Sequence, residues 1–216
     1  MSKSASTSLP ASSTALLVID MVSCWDFPDA DKLLPHALLI APRIAALKSR
    51  CKRDGVPVIY ANDNRGRWQS DFAHLVEMSI GAADDGARIT QCLHPGEDDY
   101  FVLKPKQSAF FATPLDLLLR HLGVHRVIVT GVASDQCVLT TAAEARMRDL
   151  DVIVPRDCIA SQTRQRNDAV LLQLEEAHKL PTTSSARIRL QHGAPRHASR
   201  ASTTQEPGKD VKSKAS

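Results

Sequence analysis

The sequence has no apolar run near the ~20 residues that a membrane-spanning helix needs. Its opening stretch, MSKSASTSLPASST, lacks the apolar core of a secretory signal. Neither a membrane nor export is therefore expected. The five cysteines are odd in number and irregularly spaced, with no CxxC, which argues against a disulfide framework or a common zinc pattern. A reducing, cytoplasmic setting is the expectation. No GxGxxG follows the first strand-like segment and no GxxxxGKS/T occurs, so the usual nucleotide-binding loops are missing. There is no internal repeat. The chain also lacks a cationic surface where one would matter. Its formal charge of +3 resides in the last stretch, where Arg196, Arg200, Lys209, Lys212 and Lys214 face only Glu206 and Asp210. The remainder has no cationic surplus for a phosphate backbone, so no nucleic-acid partner is expected.

What is present is a regular alternation. Short apolar runs at Ala15–Asp20, Pro57–Ala61, Tyr100–Lys104, Arg126–Thr130 and Asp151–Pro155 read as buried strands, with Ala186–Leu190 as a marginal sixth. Between them, helical spacing or punctuation predicts helices over Pro35–Asp54, Asp71–Ser79, Thr113–Leu122, a segment carrying Cys137, and Thr163–Lys179. Gly81–Asp99 reads as an irregular connection. This β-α alternation, in a chain of 216 residues, predicts one α/β domain over 14–190 with a parallel sheet covered by helices on both faces. The Ser-rich residues 1–13 and the basic residues 191–216 lack hydrophobic periodicity and are expected to be disordered.

Three strands deliver a reactive side chain to one sheet edge, where open α/β sheets bind ligands. Asp20 ends the first, Lys104 ends the third, and Cys137 lies just past the fourth in VIVTGVASDQCVLTTAAEARMR. A thiolate attacks a carbonyl, and helix-start N–H groups together with Lys104 would favour that thiolate. Asp20 would take the thiol proton and return it to a leaving amine. The N–H groups of Ala133 and Cys137 would hold a developing oxyanion. Cys51, on an apolar helix face, is expected to be an inert core thiol, and Asp135 to cap the helix of Cys137.

These residues resemble the isochorismatase-like cysteine hydrolases. LLVIDM at 16–21 is similar to the family's Asp strand, and VLKPKQSAFFATPLDLLL at 102–119 to its Lys strand. VTGVASDQCVLTTAAEA at 129–145 is similar to its nucleophile motif. The resemblance implies a doubly wound, mostly parallel six-stranded sheet in a Rossmann-like three-layer arrangement. It also implies a catalytic triad of Asp20, Lys104 and Cys137, a cis peptide at Val132–Ala133, and a homo-oligomer, commonly a dimer or tetramer.

Two departures from the family bear on the chemistry. Nicotinamidases of the family bind a metal through an Asp-x-His pair, whereas Asp63-Asn64-Arg65 stands here. One carboxylate is too few for a zinc- or iron-type site, so no metal and no cofactor are expected. Ser23-Cys24-Trp25 replaces the more usual residues after the catalytic Asp, and Cys24 is either part of the pocket rim or an adventitious loop thiol. Trp25, Asn62, Asn64, Arg65, Trp68 and Phe110 are the candidates for binding a small-molecule substrate. Arg65 or Arg67 would suit a substrate carboxylate. The expected activity is amidase-type hydrolysis of a small amide or ureido compound through a Cys137 thioester. Alternatives are vinyl ether cleavage as in isochorismatase, a nicotinamidase-like amidase without the metal, and a non-catalytic binding protein on this fold.

Overall fold

Thr14–Ile19 (β1) is buried at every position, as a strand covered on both faces must be. Its side chains alternate between two cores: Leu16 and Val18 enter one, while Ala15, Leu17 and Ile19 enter the other. That alternation hides behind a continuous apolar run in the sequence. The computed structural model describes residues 12–190 apart from 67, 70 and 83. The expected tails, residues 12 and 13 aside, and Arg67 lie outside the described residues.

Around β1 stand Val58–Asp63 (β2), Tyr100–Lys104 (β3), Arg126–Val132 (β4), Asp151–Ile153 (β5) and Ile159–Ala160 (β6). The sheet order is β3-β2-β1-β4-β5, with β6 also paired to β4, and every pairing is parallel. β2 and β3 step away from β1 on one side, and β4 returns on the other. This reversal opens a crevice at the C-terminal ends of β1 and β4. The fold is the doubly wound six-stranded sheet expected.

Ala30–Arg53 (α1), Phe72–Gly81 (α2) and Asp85–Cys92 (α3) supply side chains to one core. Leu115–His121 (α4), Leu139–Met147 (α5) and Arg164–Glu176 (α6) supply the other. α1 begins at Ala30, not near Pro35, and contains both Pro35 and Pro42. An interior proline costs about 3 kcal/mol. Burying Leu33, Ile40, Ile44 and Leu47 on one face returns roughly 1.5–3 kcal/mol each, so packing overrides the local signal.

Two further expectations are corrected. The stretch 81–99 is not irregular, because Asp84 accepts a bond from Ala87 N at 3.0 Å and caps α3. The glycine that disguised this helix, Gly86, is required by a close approach: a Cβ there would fall 2.3 Å from Cδ1 of Trp25. The sixth strand is Ile159–Ala160 rather than Ala186–Leu190, where a short 3-10 turn, Ser185–Arg187, stands instead. Arg50 donates to the Ser185 and Ile188 carbonyls at 2.8 and 2.7 Å and so engages acceptors a strand would need. Thr113 remains beside the start of α4, accepting from Leu115 N at 3.2 Å.

Candidate active site

Asp20 follows β1 directly, with φ 52, a left-handed conformation that Asp tolerates better than most residues. Its N–H donates to Ala61 O at 3.0 Å, and its Oδ1 accepts from Asp63 N at 2.7 Å, so the carboxylate is bound to the end of β2. Lys104 ends β3, two strands away from β1. Its long side chain crosses the end of β2, is 0% exposed, and brings Nζ to 2.9 Å from Asp20 Oδ2. The same Nζ is 3.3 Å from Cys137 Sγ and from Lys106 O. Neighbouring strands are therefore not needed for convergence; the reach of lysine supplies it.

Cys137 sits in a single π-helical turn, Ser134–Val138, between β4 and α5. Val138 N donates to Ala133 O at 3.2 Å in the wide turn of that geometry. The Val132–Ala133 peptide bond is cis. Gly131, two residues earlier, has φ 112, and a Cβ there would lie 2.0 Å from Ile19 O. Glycine thus lets β4 close on β1 where Asp20 and Cys137 must meet. Asp135 does not cap the helix as expected. It accepts from Ser161 Oγ at 2.5 Å and from Arg166 Nε at 2.7 Å, tying the turn of Cys137 to the end of β6 and to α6.

Charge and burial decide the state of the thiol. Burial pushes Cys137 up to about 12, Asp20 adds to the rise, and Lys104 opposes it. Burial likewise raises Asp20 above the ordinary carboxylate range, against the pull of Lys104. Burial alone would depress Lys104, but Asp20, Cys137 and Asp63 together hold it above the usual lysine value. The expectation of a resting low-pKa thiolate is thereby corrected. Burial and Asp20 together favour the thiol form of Cys137, beside a carboxylate of raised basicity and a buried ammonium.

A cavity of about 490 Å³ opens over this cluster. Asp20, Asn62, Asp63, Arg65, Ala133 and Cys137 line it, together with Asp26, Phe27, Gln136 and Gln162. The sequence matches the model of the Isochorismatase domain over residues 14–186. The chain belongs to the isochorismatase family. It is 35% identical over 174 residues to the Uncharacterized isochorismatase family protein YaaI of Bacillus subtilis (strain 168), covering 81% of this chain and 95% of that protein. It is 30% identical over 160 residues to Enterobactin synthase component B of Escherichia coli (strain K12), covering 71% of this chain but 54% of that protein. The crystal structure of N-carbamoylsarcosine amidase from Thermoplasma acidophilum aligns with TM-score 0.59 and 26% identity, over 81% of this chain and 98% of that one.

In this isochorismatase-family hydrolase the expected pocket residues divide. Asn62 and Arg65 line the cavity, and Asn62 Nδ2 also donates to Val22 O at 2.6 Å. Four others do not line it. Trp25 is buried against Gly86, with its ring 5.9 Å from that of Phe27. Asn64 turns its Oδ1 to Gly66 N at 2.9 Å and lines a separate shallow depression. Trp68 is 82% exposed, and so is neither core nor cavity wall. Phe110 is buried, with the Arg148 guanidinium 4.6 Å above its ring.

The Ser-Ala-Phe stretch of this family member serves to lock the segment after β3 to α5. Ser108 Oγ bonds to Glu144, and Ala109 N donates to Thr141 Oγ1 at 3.0 Å, both partners being on α5. Cys24 lies off the cavity lining and hydrogen-bonds the Arg65 side chain. Cys51 is fully buried and its thiol is raised to about 12, as a core residue. Among the described residues, no group of three or more His, Cys, Asp or Glu is placed to hold a metal. Asp63, the one carboxylate at the position of the metal pair, accepts from Arg65 N at 2.5 Å and lies 3.7 Å from Lys104 Nζ, so the donor set does not fit a cation.

Sequence reasoning missed Asp26, Phe27, Gln136 and Gln162. Gln136 adjoins Cys137 and Asp26 follows the Asp20 strand within one loop, so position alone pointed to both. Gln162 follows β6, a two-residue strand that periodicity cannot reveal.

Proposed function

We propose that this protein is a cysteine amidase that hydrolyses the C–N bond of a small amide or ureido compound through a thioester on Cys137. The observation that carries the reading is Lys104 Nζ within 2.9 Å of Asp20 Oδ2 and 3.3 Å of Cys137 Sγ at the cavity floor. A thiol held at about 12 is a poor nucleophile by itself, so its proton must leave as the C–S bond forms. Asp20, with raised basicity, is the group in contact to take it.

Sγ then attacks the acyl carbon, and the carbonyl electrons move to oxygen, where the N–H groups of Ala133 and Cys137 donate to the oxyanion. Collapse breaks the C–N bond, and Asp20 returns the proton to the departing nitrogen. Water attacks the thioester while Asp20 accepts its proton. The acid leaves, and the proton returns to sulfur. Lys104 keeps its charge throughout, balancing whichever of Asp20 or sulfur is negative.

Intact-mass spectrometry of the full chain with a panel of small amides and ureides tests this. An adduct equal to the acyl group on Cys137, absent in Cys137→Ala, is expected. Turnover that survives Cys137→Ala would favour vinyl ether cleavage without a thiol nucleophile. No adduct and no turnover across the panel would favour a binding protein.

A further inference from the structure

The cavity wall carries three carboxylates, Asp20, Asp26 and Asp63, and, among the described residues, a single guanidinium, Arg65. Behind the wall, Lys104 adds a further cation, and it is committed to Asp20 at 2.9 Å. Among the described residues lining the cavity, Arg65 is the one cationic side chain able to receive a substrate carboxylate. It is already engaged, because Nη2 bonds to Asp26 Oδ2 and its side chain also bonds Cys24. Arg65 is 27% exposed and Asp26 54%, so the pair stands at the entrance rather than in the core. The other polar side chains of the wall, Ser23, Asn62, Gln136 and Gln162, are uncharged and suited to neutral N–H and C=O groups.

We infer that the Asp26–Arg65 pair is a charge filter at the cavity mouth, with Asp26 the specificity-determining residue that selects neutral carboxamide or urea compounds against carboxylate-bearing ones. The inference rests on the amidase reading for its biological sense. It runs opposite to the expectation that Arg65 would suit an anionic substrate. A substrate carboxylate must displace Asp26 from the guanidinium and then lie beside the carboxylate it displaced. In doing so it meets a wall with more negative than positive groups. A neutral amide disturbs nothing.

The test uses two alkylating probes of nearly equal size, iodoacetamide and iodoacetate, on the full chain. Modification of Cys137 is read by peptide mass spectrometry, and N-acetylcysteine in the same buffer gives the intrinsic reactivity ratio. Relative to that reference, Cys137 is expected to prefer iodoacetamide. Asp26→Asn should raise the iodoacetate rate relative to the iodoacetamide rate roughly two- to fivefold, the range expected of a partly exposed charge pair. Arg65→Gln should move the ratio the opposite way, and added salt should narrow all the differences. A wild-type ratio equal to that of N-acetylcysteine, or the same ratio in Asp26→Asn, overturns the inference. Because alkylation needs no turnover, a missing acyl-enzyme with an intact charge preference would sink the amidase reading alone.

Discussion

The ammonium of Lys104 lies 3.3 Å from the sulfur of Cys137, yet the thiol stands at about 12. Burial and the Asp20 carboxylate outweigh the cation. On the proposed mechanism, the thiol would therefore lose its proton only as an acyl carbon arrives, so that activation would belong to the encounter rather than to the resting protein.

If that mechanism holds, Asp20 should have opposite effects on resting reactivity and on turnover. In the wild type, alkylation of Cys137 by iodoacetamide should climb steadily from pH 8 to 10 without a plateau. In Asp20→Asn, a charge that raises the thiol pKa is gone while Lys104 remains, so alkylation at pH 7 should be faster than in the wild type. Turnover should fall by about 10²–10⁴-fold, the share of a positioned general base. Slower alkylation together with lost turnover would mean that Asp20 activates the resting thiol instead.

Lys104 is fully buried and paired, so its removal leaves an uncompensated carboxylate inside the protein. Lys104→Met should cost about 3–5 kcal/mol by chemical denaturation, as breaking a buried pair from one side does. A change below about 1 kcal/mol would show that Asp20 finds water or neutralises without penalty.

Gly131→Ala places a Cβ 2.0 Å from the Ile19 carbonyl oxygen in a backbone conformation of φ 112. Both faults act together, and destabilisation of about 4 kcal/mol or more is expected. The melting temperature of the variant is the measurement, and near-wild-type melting would show that β4 can move off β1.

Alkaline stability follows from two further thiols. Burial, as the first cause, raises Cys51 and Cys158 from 9.0 to about 12 in the folded protein. The unfolded chain therefore releases protons first. The thiols have no effect on stability below pH 9, and the folded state loses ground as pH rises from 9 towards 12. Each should contribute a slope of roughly 1 kcal/mol per pH unit there. Cys51→Ala should show a shallower decline above pH 9 than the wild type, even though it starts less stable. Parallel curves would contradict the shift.

Much of the fold was legible because a parallel sheet writes itself in short apolar runs, and β1 and β3 were found within a residue. The triad residues stood out because each ends or follows such a run. What escaped depended on contacts between distant residues. Pro35 and Pro42 punctuate the sequence but not α1, where packing decides. Gly86 reads as a breaker until Trp25 is seen against it. Phe110 and Trp68 were plausible as pocket aromatics, but one is clamped under Arg148 and the other projects into solvent. The thiol of Cys137 was misjudged for a related reason: sequence shows the cation but not the depth of burial that opposes it.

The place of β1 at the centre of the sheet also governs the order in which the protein can be made. Its partner β2 is complete by Asp63, but the strand that covers its other edge starts only at Arg126. While the intervening residues emerge, a largely apolar strand stands with one ladder of N–H and C=O groups open, the state in which chains most readily join their neighbours. Arrival of β4 closes that edge and brings Cys137 to Asp20 in the same step. A chain that has escaped aggregation has, by that event, also acquired its chemistry.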